Sequence, residues 1–138
     1  MRIMGIDYGD TRVGIALSDP LKITAQGHTT LLNKVYPKML DALIKIVAEY
    51  DVKKIVLGMP KNLDGSLGDR VEVTENFYKD LQEKLPRMEI VLWDERLTTV
   101  QATGILNVTN TRGKDRKNVI DTVAASIILQ SYLDYSKK

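Results

Sequence analysis

Apolar residues fall into two rhythms along this chain, a period of two and a period near 3.6, and the switches between them delimit its elements. Residues 1–8 read as a strand closed by the turn Gly9-Asp10, and Arg12 to Ser18 as its antiparallel partner, ended by Asp19-Pro20. A weaker strand covers roughly residues 23–32. Tyr36 to Tyr50 shows helical spacing through Met39, Leu40, Leu43, Ile44, Ile46 and Val47. Lys54-Ile55-Val56-Leu57-Gly58, stopped by Pro60, suits a buried parallel strand. Residues 61–67 form a turn-rich loop, 69–84 a helix and 89–94 a strand. A shorter helix over 97–106, capped by Thr98 or Thr99, a polar loop over 107–115 and a last helix over 116–135 complete the chain.

Three meandering strands followed by helix–strand–helix–strand–helix predict an α/β fold with a mixed five-stranded sheet. Strands one to three are antiparallel, four and five parallel, with helices on both faces. No internal repeat, low-complexity tract or linker interrupts residues 1–138, so the chain reads as a single domain.

Against this pattern three acids stand out. Asp7 interrupts the run Ile3-Met4-Gly5-Ile6-Asp7-Tyr8, Glu95 follows Asp94 at the end of Ile90-Val91-Leu92-Trp93, and Asp121 sits within Val119-Ile120-Asp121-Thr122-Val123. A carboxylate in apolar surroundings is costly unless a cation compensates it, so three on three elements point to a divalent-metal site and phosphodiester chemistry. Alternation puts Ile3, Gly5 and Asp7 on one strand face and Met4, Ile6 and Tyr8 on the other. Gly5 and Gly9, flanking this acid, are expected to leave room for a phosphate or a metal-bound water. Asp10 suits an ordinary turn better than Asp7 does. Asp94 and Glu95 point to opposite sides if the strand continues, and Glu95 is the chosen ligand. Asp121 alone reads as a helix acid favoured by the macrodipole. Beside the other two acids, with Ala124 and Ala125 on its edge letting the helix approach the sheet, it reads as the third ligand.

Composition narrows the chemistry. Of 138 residues 43% are hydrophobic and 28% charged, which is ordinary for a globular protein. The chain has no cysteine, so disulfides, thiolate catalysis and zinc–thiolate sites are excluded, in keeping with a reducing, cytoplasmic setting. No secretory leader and no apolar run of membrane-spanning length is read. The net charge of +2 permits nucleic-acid binding without requiring it. Its distribution is more informative. Arg112-Gly113-Lys114-Asp115-Arg116-Lys117 gathers four cations ahead of Asp121, either a solvated turn or a set of phosphate contacts. Lys61 and Arg70 flank the loop over 60–68, which could close over a substrate or simply connect two elements. Arg96 could neutralise its acidic neighbours or meet a phosphate. Trp93 is expected in the core rather than as a base-stacking platform, and His28 is assigned no role.

The motifs Gly5-Ile6-Asp7-Tyr8-Gly9 with Arg12-Val13-Gly14-Ile15-Ala16-Leu17-Ser18-Asp19-Pro20, Gly58-Met59-Pro60-Lys61-Asn62 with Asp64-Gly65, Asp94-Glu95-Arg96-Leu97-Thr98-Thr99, and Ile120-Asp121 with Ala124-Ala125 resemble, in order and nearly end to end, the YqgF/RuvX family of the RNase H-like superfamily. The resemblance implies an RNase H-like fold and a nuclease role, in maturation of the 5′ end of precursor 16S ribosomal RNA or in resolving four-way Holliday junctions. It implies an acidic site of Asp7, Glu95 and Asp121 holding two Mg²⁺ or Mn²⁺ ions about 4 Å apart. Arg12, Lys61, Arg70, Arg96, Arg112, Lys114, Arg116 and Lys117 would then contact nucleic acid. Superfamily relatives often carry a fourth acid near the helix aspartate, whereas here the next acid after Asp121 is Asp134, more than three turns away. The protein would act as a monomer or a homodimer.

Two rivals belong to other classes. The Asp-x-Gly turn also resembles the phosphate loop of the sugar kinase/actin/Hsp70 group, but those proteins close two such domains around a cleft and 138 residues supply one. A non-catalytic RNA- or ribosome-associated module would keep the fold, but clustered carboxylates repel RNA unless metals intervene.

Overall fold

The computed structural model describes residues 2–9, 11–21, 24–59, 69–94 and 113–136, with the side chains of 69–71 and 113–121 left undescribed. Its sheet consists of β1 (Arg2–Tyr8), β2 (Arg12–Ser18), β3 (Ala25–Leu32), β4 (Val52–Met59) and β5 (Glu89–Asp94). The strand order is β3-β2-β1-β4-β5. β1 pairs antiparallel with β2 and parallel with β4; β2–β3 is antiparallel and β4–β5 parallel. This is the expected mixed sheet, with β1 at its centre. Helices α1 (Tyr36–Glu49), α2 (Asp69–Lys84) and α3 (Gly113–Ser136) flank it.

Alternation along β1 sorts its side chains between two cores. Met4, Ile6 and Tyr8 join Val13, Ile15, Ile55 and Leu57 beneath α1 and α2, which contribute Met39, Leu40, Leu43, Phe77 and Leu81. Ile3 lies on the other face with Ala16 and Val56, under Ala125, Ile128, Leu129 and Leu133 of α3. Pro37 sits in the first turn of α1, where its missing N–H costs nothing, and the buried stripe Met39, Leu40, Leu43, Ile46 and Val47 turns that helix to the sheet.

The second face admits α3 through glycine. A Cβ on Gly5 would stand 2.7 Å from Leu129 Cβ and 2.8 Å from the Ala125 carbonyl oxygen, and one on Gly27 would stand 2.9 Å from Thr122 Cβ. Only a residue without a side chain lets the helix lie that close. From Thr122 beside β3, α3 crosses β1 at Ala125 and Leu129. It reaches β4 where Lys54 Nζ donates to the Tyr132 hydroxyl at 2.9 Å, and β5 where Trp93 Nε1 donates to Ser131 Oγ at 3.2 Å. The Ala25 N–H donates to Gln130 Oε1 at 2.9 Å, fixing the helix to the opposite edge as well.

Two elements differ most from expectation. β4 runs Val52–Met59, longer than the apolar core of its sequence, because Val52 finds a partner in Arg2 and Met59 one in Asp94. α3 begins at Gly113 instead of 116, so helical backbone includes the charged residues assigned to the preceding loop. The helix expected over 97–106 and the loop over 60–68 lie outside the described residues.

Candidate active site

Asp7 is the last residue but one of the central strand, half-buried, on the face that α3 covers. Its antiparallel partner on β2 is Gly14. On β4 the residue after Leu57, the partner of Ile6, is Gly58. The carboxylate is thus flanked on both neighbouring strands by residues with no side chain. This corrects the expectation for Gly5 and Gly9. The space beside Gly5 is filled by α3, and a Cβ on Gly9 would lie 2.4 Å from the Arg12 carbonyl oxygen, so these two glycines serve helix packing and the turn. The residues without a side chain beside the acid are Gly14 and Gly58, which meet it only across the sheet.

The backbone around Asp7 is held on both sides. Below it stands the Gly5–α3 contact. Above it Asn33, just past β3, donates from Nδ2 to the Gly9 carbonyl at 3.0 Å and to the Tyr8 hydroxyl at 3.1 Å, while its N–H donates to the Thr11 carbonyl at 2.9 Å. A functional side chain gains precision from such support. The Tyr8 ring itself belongs to the core of the opposite face, stacked on Phe77 with centroids 4.2 Å apart. Asn33 went unnoticed in the sequence because it belongs to no apolar pattern and no acidic motif.

The other candidates gather toward the same end. Gly58 is in register with Trp93 and Met59 with Asp94, so the carboxyl ends of β4 and β5 lie level with that of β1. This is the edge at which open α/β sheets bind ligands. Trp93 packs against the α3 core, which leaves Asp94 on the opposite face by alternation. Asp121 belongs to α3 one turn before Ala125, the residue whose carbonyl abuts Gly5; its side chain lies outside the described residues, as does the whole of Glu95. Arg12 opens β2 on the Asp7 face, two residues before Gly14. Arg70, Lys114, Arg116 and Lys117 lie in α2 and α3 with undescribed side chains, and Lys61, Arg96 and Arg112 fall outside the described residues.

Among the described residues no three His, Asp or Glu side chains come together as a metal-holding group. What the structure offers a metal is Asp7, a hard oxygen donor between two glycines, with no thiol in the chain and its single histidine on β3 against Tyr50. Oxygen donors of this kind fit Mg²⁺ or Mn²⁺. Clefts of about 320 Å³, beside Val52, Lys84 and Arg87, and about 250 Å³, beside Arg2, Asp19 and Tyr50, open at the other end of β1 and β4. No helix among the described residues is long and apolar enough to cross a membrane.

A 3-2-1-4-5 mixed sheet with an acid at the carboxyl end of its central strand and a helix laid across that face defines an RNase H-like fold. Known structures agree. Thermus thermophilus RuvC in complex with a Holliday junction substrate superposes with a TM-score of 0.60 over 99% of this chain and 96% of that one, at 11% identity. The yeast mitochondrial Holliday junction resolvase Ydc2 gives 0.62 over 99% and 79%, also at 11% identity. A ROK family protein from Streptococcus pneumoniae shares the fold at a TM-score of 0.52, but the chain covers only 37% of it. In sequence, the family model of RuvX, described as Holliday junction resolvase, matches residues 1–135. The chain therefore belongs to the RuvX (YqgF) family. Proteins named "Putative pre-16S rRNA nuclease" from Halothermothrix orenii and Caldanaerobacter subterraneus subsp. tengcongensis are 49% and 48% identical to it. The alignments cover 100% and 99% of this chain and 98% and 99% of theirs.

Proposed function

We propose that this protein is a cytoplasmic nuclease that hydrolyses phosphodiester bonds with Mg²⁺ or Mn²⁺ held by Asp7, Glu95 and Asp121, and that it trims the 5′ end of precursor 16S ribosomal RNA. The observation that carries the reading is the setting of Asp7: a half-buried carboxylate on the α3 face, between Gly14 and Gly58, at the carboxyl ends of three strands. Asp94, on the face away from Asp7, leaves Glu95 as the acid of that pair for the site. The relatives named as pre-16S rRNA nucleases, nearly half identical over almost the whole chain, support ribosomal RNA as the substrate.

Bound cations, one or a pair, would supply Lewis acidity and a water made nucleophilic near neutral pH. The chain's own residues do the rest. Asp7 presents its oxygens from the centre of the sheet, held by the Gly5 contact below and Asn33 above. Gly14 and Gly58 keep flanking side chains away from the scissile phosphate. Arg12, with Lys61, Arg70, Arg96, Arg112, Lys114, Arg116 and Lys117, neutralises the phosphates on either side and fixes the strand. No histidine or cysteine is needed for proton transfer, in keeping with a chain that has one and none.

The test compares wild type with Asp7→Asn on a labelled precursor ribosomal RNA 5′ end and a four-way DNA junction, each with Mn²⁺ or EDTA. RNA should be cut by wild type with Mn²⁺ alone. Without metal the clustered carboxylates repel one another, so Asp7→Asn should raise the melting temperature of the metal-free protein and remove the stabilisation that Mn²⁺ gives wild type. An Asp7→Asn protein that cuts, or responds to Mn²⁺, as wild type does would take Asp7 out of the site. Cutting of the junction alone would favour the second reading, branched DNA, which the RuvC-type fold supports; symmetric resolution would then call for a homodimer rather than a monomer.

A further inference from the structure

At the β5 edge, on the same face as Asp7, three aromatic rings lock together. Trp93 meets Tyr132 edge-on with centroids 5.6 Å apart and Tyr135 at 5.4 Å and 61°. Hydrogen bonds fix two of the rings: Trp93 Nε1 donates to Ser131 Oγ at 3.2 Å, and Lys54 Nζ donates to the Tyr132 hydroxyl at 2.9 Å. The Lys54 ammonium also stands 5.4 Å from the Tyr132 ring centroid. The hydroxyl contact raises its pKa above the usual lysine range, with Glu89 at 3.2 Å acting in the same direction and burial opposing both. The third ring is different. Tyr135 is 65% exposed, a large aromatic surface braced from one side by Trp93 and open on the other.

Packing alone does not require a ring there. Ile128, Leu129 and Leu133 already seat α3 on the sheet, each 3% exposed or less. The position is telling. Trp93 lies level with Gly58 and hence with Asp7, two strand spacings away, about 10 Å. A nucleic-acid strand with one phosphate at Asp7 that ran past Trp93 would reach the ring of Tyr135, whose centroid is 5.4 Å from that of Trp93, within a few nucleotides. The Lys54 ammonium supplies cationic charge at the cluster.

We infer that Tyr135, braced by Trp93, is a stacking platform for an unpaired base of the strand that passes through the site, a few nucleotides from the cleaved bond, so that the protein engages its nucleic acid as a single strand. The inference rests on the nuclease reading for its choice of a nucleic acid as occupant. Flat aromatic faces beside a lysine suit an unpaired base, since every base offers a π-face to stack on. In a duplex the base faces are covered by their neighbours, so a double-stranded ligand would not use the platform.

Trp93 is the only tryptophan in the chain, so its fluorescence reports this spot alone. Binding is measured with Ca²⁺ in place of Mn²⁺, so that carboxylates are neutralised by a cation that activates water poorly, with a fluorescein-labelled single-stranded RNA of mixed sequence and with a duplex of the same length. Single-stranded RNA should quench Trp93 fluorescence and the duplex should not. Tyr135→Ala should weaken single-strand binding on the order of tenfold, the scale of one lost base–aromatic stack. Tyr135→Phe should stay within about twofold of wild type, because it keeps the ring. Melting temperatures separate this from a folding defect: a Tyr135→Ala protein that melts like wild type yet binds RNA less tightly supports the platform. Equal binding by wild type and Tyr135→Ala, or unquenched Trp93 at saturating RNA, overturns it, and the face would then be a surface for another protein. Cleavage is scored separately on the precursor RNA. A Tyr135 effect on binding with no cleavage by wild type would sink the nuclease reading and keep the platform; cleavage with no Tyr135 effect would do the reverse.

Discussion

Asp7 and Tyr8 are neighbours on one strand that face two different molecular environments. The Tyr8 ring, 7% exposed, stacks on Phe77 within a layer of large apolar side chains beneath α1 and α2. Asp7, half-buried on the other face, has glycine on either flanking strand and a helix held close by two further glycines, Gly5 and Gly27. The first face fills space, and each large side chain fully buried there contributes roughly 1.5–3 kcal/mol. The second face gives space up. Small residues bring α3, and with it the Asp121 position, toward the acid of the central strand, at the expense of apolar area. The larger apolar core thus lies on one side of the sheet, and the smaller core with the proposed site on the other.

Removing the ring of Phe77 is the largest stability change that would sharpen this contrast. Phe77 is 1% exposed, and Phe77→Ala should cost about 3–5 kcal/mol through lost transfer energy and the cavity left behind. Measured by urea unfolding, the loss should be large, yet the folded fraction should keep its Mn²⁺ response and its specific cleavage rate. A protein that lost its Mn²⁺ response while still folded would mean the two faces are not separable in this way.

Gly5→Ala makes the converse change. The added methyl would meet Leu129 Cβ and the Ala125 carbonyl at under 3 Å, and the backbone of a packed helix cannot swing aside as a flexible side chain can. Overpacking of this kind costs about 1–3 kcal/mol. Stability should therefore fall less than in Phe77→Ala. Cleavage should fall more, because α3 must move relative to Asp7. The comparison fails if Gly5→Ala cuts RNA at the wild-type rate per folded molecule.

The contrast between faces was only half legible in the sequence. Alternation through Ile3 to Tyr8 correctly sorted β1, because a period of two carries face information directly. The run Ile55-Val56-Leu57 marked β4 as buried, but Val52 and Met59 joined it through partners on other strands, which no local window contains. The charged start of α3 resembled a loop because polar residues give no periodic signal even where the backbone is helical. Gly5 and Gly9 looked like the source of room at Asp7 because they adjoin it in the chain. Gly14 and Gly58 adjoin it only through sheet register, as Asn33 reaches its turn only through the fold. Among the three acids the sequence singled out, the structure describes the strand position and register of Asp7 and the helical position of Asp121.

The smallest expected effect belongs to the space-filling face and gives it a pH signature. Tyr36 of α1 donates its hydroxyl to Asp80 Oδ2 of α2 at 2.6 Å, joining the two helices of that layer. Burial raises the Tyr36 pKa above the usual tyrosine range, and the hydrogen bond and negative charge of Asp80 raise it further. The folded protein thus keeps the phenol protonated at a pH where the unfolded chain releases the proton. The contribution is complete below the unfolded value of about 10 and is lost as pH rises above it toward the folded value. Tyr36→Phe should cost about 1 kcal/mol at neutral pH, the usual net worth of one hydrogen bond. The gap between wild type and variant should stay constant from pH 7 to about 10 and narrow above that. Among the described residues nothing on the Asp7 face shares this contact, so Mn²⁺ should stabilise Tyr36→Phe as much as it does wild type. A gap that widened above pH 10 would mean that the phenol is already ionised in the folded state and is not Asp80's donor.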